Sequence, residues 1–308
     1  MSRLDSIDEH KLEAAYAVCR TIARREAKNF YYAFVALPIP RRNAICAIYA
    51  FMRKADDLAD DESLSLPERR RHLDEWLAQW RAVCQGSDTS DPVFIAVRDA
   101  TERFGIPLGL LDELIDGVTM DLTPKAGGGP DTYQTFADLY RYCYLVASVV
   151  GLVCIHIFGY TDPKAEKLAE ETGVAFQLTN ILRDVAEDAA RNRIYLPLED
   201  LAAHGVKLNS LLHRPSCKPP TTQERALIVE IAARAEVFYH SAELLLPKID
   251  AESRPAMWVL VRIYRALLKR IERADYDVFS RRASVSMAQK VCILAAGIIR
   301  MGWARVFA

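Results

Sequence analysis

Residues 177 to 197 read QLTNILRDVAEDAARNRIYLP, and the spacing within this stretch decides how the chain is built. Gln177, Asn180, Asp184 and Asp188 stand at offsets 0, 3, 7 and 11, which is one face of an α-helix. Asp184 and Asp188 are one turn apart, about 5.4 Å of rise. Val174, Leu178, Ile181 and Val185 give the same helix a separate apolar face. A lone Asp-x-x-x-Asp is most often a solvated helix face. Here a second such pair, Asp56 and Asp60, occurs more than a hundred residues upstream. Two pairs facing each other would make an oxygen-rich cage for a hard divalent cation. Mg²⁺ favours such donors and keeps waters and substrate phosphates in its shell; Mn²⁺ suits the same oxygens.

The upstream helix reads AIYAFMRKADDLADD over residues 47 to 61. Tyr49, Arg53, Asp56 and Asp60 fall at offsets 0, 4, 7 and 11, again one face, while Ile45, Ile48, Met52, Ala55 and Ala59 supply a packing face. Arg53 is a fixed positive charge one turn from Asp56, suited to binding a diphosphate or to orienting that carboxylate. Phe30 and Phe34, in RREAKNFYYAFVA, share a face with Ala27 and can be core packing or the wall of an apolar pocket. Residues 140 to 159, YRYCYLVASVVGLVCIHIFG, are apolar nearly all round, as expected of a central buried helix. Gly151 inside it costs about 1 kcal/mol relative to Ala and either permits close packing or leaves room for a ligand. Arg191, Arg193 and Tyr195 follow the second acidic pair, and their cations can close over phosphate oxygens. Tyr264, Tyr276, Arg281 and Arg282 form a second aromatic and basic region, readable equally as an ordinary charged helix end. The run Arg69–Arg71 reads as a solvated face, and Gly127–Gly129 as a surface turn, since no strand–glycine–helix setting surrounds it.

Helical periodicity dominates, with no sustained strand alternation. It predicts helices over 8–36, 40–60, 67–85, 92–104, 107–122, 136–158, 163–191, 222–246, 254–279 and 286–307. The 308 residues, 51% hydrophobic, can bury a large core, and no break has the length of an interdomain linker. One all-α domain over 1–308 is the economical organisation. A formal net charge of −1 offers nothing to a nucleic acid. The seven cysteines lack metal-ligand or disulfide spacing and read as reduced thiols, so a cytoplasmic location is expected. The longest apolar run, Val291–Ile299, is too short to span a bilayer. Residues 286–307 are apolar with Lys290, Arg300 and Arg305 near the ends, which fits a core helix or one in peripheral contact with the inner face of a membrane. Nothing in these patterns specifies an oligomeric state.

Taken together, the two acidic motifs and their flanks resemble the squalene and phytoene synthase family of head-to-head isoprenyl transferases. The resemblance runs from about Tyr16 to Arg282. Tyr49, Arg53, Asp56 and Asp60 match the family's first aspartate motif; Gln177, Asn180, Arg183, Asp184 and Asp188, with Tyr195 in RIYLP, match the second. Tyr142, Val146, Ala147 and Gly151 match its central YCxxVAxxVG element, Phe30 and Phe34 its pocket aromatics, and Tyr264 and Arg281 its C-terminal site positions. The segments AKNFYYAF and VASVVG look most like bacterial presqualene diphosphate synthases of the hopanoid pathway. Ala27 departs from a common serine and Ser148 from a common glycine, both in segments near substrate.

The resemblance implies a helical bundle around a central cavity. It also implies Mg²⁺ held by Asp56, Asp60, Asn180, Asp184 and Asp188, and prenyl diphosphate substrates, with Arg53, Arg183 and Arg281 adding positive charge. The implied reaction joins two farnesyl diphosphates into presqualene diphosphate. NADPH is not expected to be needed. Phytoene synthase, using geranylgeranyl diphosphate, and complete squalene or dehydrosqualene synthase are the neighbouring readings. A terpene cyclase is disfavoured by YCxxVAxxVG and NxxRDxxED, and a non-catalytic relative by the intact acidic motifs.

Overall fold

The computed structural model describes residues 9–120, 130–214 and 218–306, and the described chain is almost entirely helical. Start signals in the sequence set the helices. Ser65 with Glu68, Thr135 with Asp138 and Thr221 with Glu224 form reciprocal capping boxes at the starts of α4 (Leu66–Cys84), α7 (Phe136–Cys143) and α12 (Thr222–Leu245). The Asp91 carboxylate accepts from Val93 N at 2.7 Å at the head of α5 (Pro92–Phe104), and Gly105 closes that helix at φ 60°. Phe51 of α3 (Ile39–Ala59) meets Trp76 and Trp80 of α4 at ring separations of 4.8 and 5.2 Å, and both tryptophans touch Phe94 of α5. Aromatic pairs of this kind add about 0.5–1.5 kcal/mol each beyond their burial.

Where the structure departs from the periodicity, the backbone gives the reason. The expected helix over 8–36 is two, α1 (Glu9–Glu26) and α2 (Lys28–Val35), hinged at Ala27. The helix expected over 254–279 stops as α13 (Arg254–Arg273), because Asp275 and Tyr276 adopt left-handed φ of 56° and 58°. Two short helices, α10 (Leu198–Ala203) and α11 (Leu208–Leu212), lie where no periodicity could build up in so few residues. Asp131–Thr132 and Arg193–Ile194 pair as a minimal parallel ladder, β1 with β2. Gly127–Gly129 and Cys217 lie outside the described residues. The other six cysteines are free thiols.

One knot fixes the direction of the bundle. Arg41, near the start of α3, donates to the carbonyl of Phe158 at 2.7 Å, to Ser253 Oγ at 2.6 Å and to Asp250 Oδ2 at 2.6 Å. Phe158 ends α8 (Val149–Phe158), and Ser253 and Asp250 immediately precede α13. Gly159, at φ 77°, turns the chain there; a Cβ on it would lie 2.1 Å from Asp250 Oδ2. A few residues on, α9 (Lys164–Ala190) begins, steadied by Lys248 pairing with Asp162. Thus α3, α9 and α13 start together and run the same way, with α8 returning between them.

The central helix is clamped by small residues. Between α7 and α8, Tyr144–Ser148 form a π-helical turn. A Cβ on Gly173 of α9 would sit 2.5 Å from Ser148 Cα, and one on Gly151 2.9 Å from the carbonyl oxygen of Ala169. Gly117 of α6 (Leu108–Met120) approaches the carbonyl of Leu145 from the other side. Residues 136–158 have the length and hydropathy of a membrane span, but here they are held between α6 and α9 in the core.

Gly173→Ala is therefore expected to destabilise the protein by about 1–3 kcal/mol, overpacking outweighing the helix propensity gained. Gly109→Ala, whose Cβ meets nothing within 4 Å, should be neutral or mildly stabilising. Chemical denaturation of both variants checks the pair.

Candidate active site

The parallel starts of α3, α9 and α13 create a cavity of about 270 Å³ between them. Ile45, Ile48, Tyr49 and Met52 wall it from α3; Ala169, Thr172, Gly173, Phe176, Gln177 and Asn180 from α9; Ala256, Met257, Leu260 and Tyr264 from α13. Phe34 and Leu37 close one side, Val146, Ala147, Val150 and Gly151 another, and Phe158 and Leu245 form the floor beside the Arg41 knot. Gly151 thus serves both of its readings, packing on Ala169 and facing the cavity.

The wall residues on α3 and α9 continue upward into the two acidic motifs. Beyond Tyr49 and Met52 come Arg53, Asp56 and Asp60; beyond Asn180 come Arg183, Asp184 and Asp188. Both pairs therefore stand past the same end of the cavity. Arg53 bonds Asp57 at 2.6 Å, and Asp60 caps α3 with its N–H on the Asp56 carbonyl. Arg183 donates from Nε to Asp184 Oδ1 at 2.8 Å and from a second nitrogen to Oδ2. Arg282 reaches the same carboxylate, Nε to Oδ1 at 2.7 Å. Asp188 is left with fewer cations. Burial, then the neighbouring Asp184 charge, pushes its carboxyl up to about 6.

At the junction of cavity and motifs, Phe176 and Tyr264 stack at 4.3 Å, and the Asn180 amide bonds the Tyr264 hydroxyl and lies 3.4 Å from Gln177 Oε1. Asn180 Oδ1 is buried without a hydrogen-bond partner. Tyr49 meets Phe34 edge-on at 6.2 Å, and burial raises its hydroxyl to about 12, so it stays protonated at neutral pH. Tyr142 is not on the cavity wall. It stacks with Tyr195 at 5.0 Å and with Tyr133, its hydroxyl 3.3 Å from that of Tyr195. Tyr195 in turn borders a small pocket with Asp188 and Arg193.

Several expectations need adjusting. The cage of four carboxylates is not assembled: among the described residues no three acidic, histidine or cysteine side chains cluster closely enough to hold an ion. Arginines occupy part of the acidic surface instead, on Asp57 and Asp184. What is present still fits a hard divalent cation. An orphaned amide oxygen on Asn180 lies one turn before Asp184, and Asp188 carries a poorly compensated charge. Mg²⁺ needs only one or two protein carboxylates when phosphates complete its shell. In the C-terminal segment Arg282 rather than Arg281 pairs with Asp184; Arg281 is exposed beside Asp277. The Phe30 side chain lies outside the described residues. Phe176 escaped the sequence reading, although Ala169, Gly173, Phe176 and Asn180, at offsets 0, 4, 7 and 11, carry the same helical signal as the acidic stripe.

Comparison with known proteins identifies the family. A squalene/phytoene synthase family model matches residues 23–289. The chain belongs to that family. It is a prenyltransferase acting on prenyl diphosphates in head-to-head condensation. A phytoene synthase from Mycobacterium tuberculosis is 35% identical over 288 residues, covering 94% of this chain and 92% of that one. A dehydrosqualene synthase crystal structure superposes with a TM-score of 0.82 at 31% identity, covering 96% of this chain and 99% of the other. Squalene synthase HpnC from Alicyclobacillus acidocaldarius gives 0.77 at 27% identity, over 86% of this chain and 96% of its own. The family's helical architecture is the one expected from the periodicity.

In this prenyltransferase Asp56→Asn and Asp184→Asn should each lower turnover at saturating Mg²⁺ by at least about a hundredfold, with the fold retained. Steady-state kinetics alongside thermal melts checks this. Asp188 has its proton affinity raised on folding, so the folded state binds the extra proton between about pH 4 and 6, and stability falls as pH rises through that window. In metal-free protein Asp188→Asn should therefore raise stability by on the order of 1 kcal/mol at pH 8, the gap closing towards pH 4. Melting curves across that range test it.

Proposed function

We propose that the enzyme condenses two farnesyl diphosphates to presqualene diphosphate and releases it without reduction. The depth of the cavity carries the chain-length part. On α9 the wall runs from Ala169 to Asn180, eleven residues, or about 16 Å of rise. An extended farnesyl chain, at about 1.2 Å per carbon–carbon bond, spans about 14 Å, and a geranylgeranyl chain about 19 Å. Phe158 and Leu245 stand across the floor, where the extra isoprene unit would go. Resemblance of AKNFYYAF and VASVVG to presqualene diphosphate synthases supports the stopping point.

The residues divide the work between a dry end and a charged end. The wall excludes water from the prenyl chains and leaves the reacting carbons near Tyr49, Phe34, Phe176 and Tyr264. Arg53, Arg183 and Arg282 hold positive charge where the diphosphates lie, favouring departure of one of them. Asp56, Asp60, Asn180, Asp184 and Asp188 would hold Mg²⁺, which supplies Lewis-acid stabilisation of the leaving diphosphate. Loss of diphosphate from C1 of one substrate leaves an allylic cation, which aromatic faces stabilise. The C2–C3 double bond of the second substrate attacks it. The new bond joins its C2 to C1 of the ionised substrate and leaves the positive charge on its C3. A proton then leaves C1 of the ionised substrate, and the freed electron pair bonds that carbon to C3, closing the cyclopropane. Tyr49 is too weak an acid to serve as a tyrosinate at neutral pH, so the departed diphosphate is the better proton acceptor.

Phytoene synthesis from geranylgeranyl diphosphate is the second reading, because curated relatives at 35% identity are phytoene synthases. Product analysis with each diphosphate and Mg²⁺, with and without NADPH, separates the two. Presqualene diphosphate from farnesyl diphosphate, unchanged by NADPH, is expected. Phytoene as the main product would overturn the substrate, and squalene formed only with NADPH the stopping point. Phe158→Ala should raise the geranylgeranyl-to-farnesyl ratio of kcat/KM by at least about tenfold, as room of this kind does in apolar pockets.

A further inference from the structure

The last helix, α14 (Met287–Val306), carries apolar residues on two opposite faces, and only one is explained by packing. On the inner face Ile293 and Leu294 pack with Trp258, Val259 and Ile263 of α13 and Ala33 of α2. A Cβ on Gly297 would lie 2.5 Å from Val259 Cγ2, so that face is already seated as closely as the backbone allows. On the outer face Met287, Val291, Ile298 and Ile299 are 62, 50, 42 and 60% exposed. They stand at offsets 0, 4, 11 and 12, with exposed Ala295 between them, a single stripe.

Charge identifies what this stripe meets. From Ser286 to Ala308 the sequence has no Asp or Glu, and it has Lys290, Arg300 and Arg305. A second group of exposed apolar residues, Val229, Val237 and Leu244 on α12, is interleaved with Glu230, Glu236 and Glu243, which an anionic surface repels. An acid-free amphipathic helix with an unpacked apolar face has the character of an interfacial helix on anionic lipid. Its position adds to this. Ala33 and Leu260 belong both to the packing under α14 and to the cavity wall, so one layer of side chains separates the prenyl cavity from this helix.

We propose that α14 seats the enzyme on an anionic lipid leaflet, its outer stripe in the headgroup region and the thin α2–α13 wall turned towards the bilayer. The surface holds for either prenyl chain length; only the idea that the lipid-soluble cargo crosses that wall rests on the proposed function.

Flotation of the full-length protein with phosphatidylglycerol vesicles and with phosphatidylcholine vesicles, in the absence of substrate, tests the surface independently of the product. Binding to the anionic vesicles, weakened by high salt, is expected. The double variant Val291→Glu/Ile298→Glu should lose at least about tenfold in vesicle affinity, while Val237→Glu should float like the unmodified protein. Turnover of detergent-dispersed substrate should survive in both, showing that the fold is intact. The proposal is overturned if the unmodified protein does not float with phosphatidylglycerol, or if the double variant floats equally well. It is also overturned if the double variant halves the particle mass in solution without changing flotation, which would make the stripe a contact between copies of the chain.

Discussion

Everything at the site depends on the bond network around Arg41. By holding the ends of α8 and of the Asp250–Ser253 turn against the head of α3, it gives α3, α9 and α13 a common origin. Helices that leave one point in the same direction reach comparable heights. Asp56 lies fifteen residues past Arg41, and Asp184 twenty past Lys164, about 22 and 30 Å of rise. Two acidic motifs remote in sequence are thereby delivered to one rim. The network centres on the buried Ser253, which also donates to the Phe158 carbonyl at 2.9 Å, while Asp250 at its outer edge is exposed; a satisfied network of this kind holds a unique arrangement.

At that rim, attraction and repulsion are balanced unevenly. Asp184 is shared by two guanidinium groups, whereas Asp188, one turn on, is not, and burial together with the neighbouring Asp184 charge raises its proton affinity. The unmatched Asn180 oxygen lies on the same stripe. A diphosphate with its divalent cation answers both sides of this imbalance, its oxygens for the arginines and its metal for the carboxylate and amide. Below the rim polar atoms nearly vanish, and the aromatic rings of Phe34, Tyr49, Phe176 and Tyr264 take over. The boundary between the two regimes is where a bond between carbon and diphosphate oxygen would sit.

Much of this was legible in the residues because it rests on helical offsets. The stripes from Tyr49 to Asp60 and from Gln177 to Asp188 needed only the 3.6-residue period. The all-α class followed from the same rule. The parts that were not legible depend on backbone events without a local signature. Nothing in RREAKNFYY announces the hinge at Ala27, and the left-handed Asp275 and Tyr276 are not glycines. Arg281 and Arg282 are adjacent and chemically identical, so only the path of the chain after that turn selects Arg282 for Asp184. Tyr142 lies in a motif of the central helix, yet its ring turns to Tyr133 and Tyr195 rather than to the cavity.

The π-helical turn at Tyr144–Ser148 has a consequence for the phase of that central helix. An α-helix advances about 100° per residue, and a π turn takes in one residue more than an α turn. The side chains before and after it are therefore out of register with any single helical wheel. Upstream, Tyr142 points into the tyrosine stack; from Ala147 inside the turn onward, Ala147, Gly151, Cys154 and Phe158 fall at offsets 0, 4, 7 and 11 and all face the cavity. Removing any one residue from the turn would restore ideal winding and rotate α8 by about a quarter turn. The Gly151 contact with Ala169 and the Phe158 floor would swing out of place together. The length of this segment is thus as tightly constrained as its composition, and a one-residue gap there would mark a relative with a differently shaped cavity.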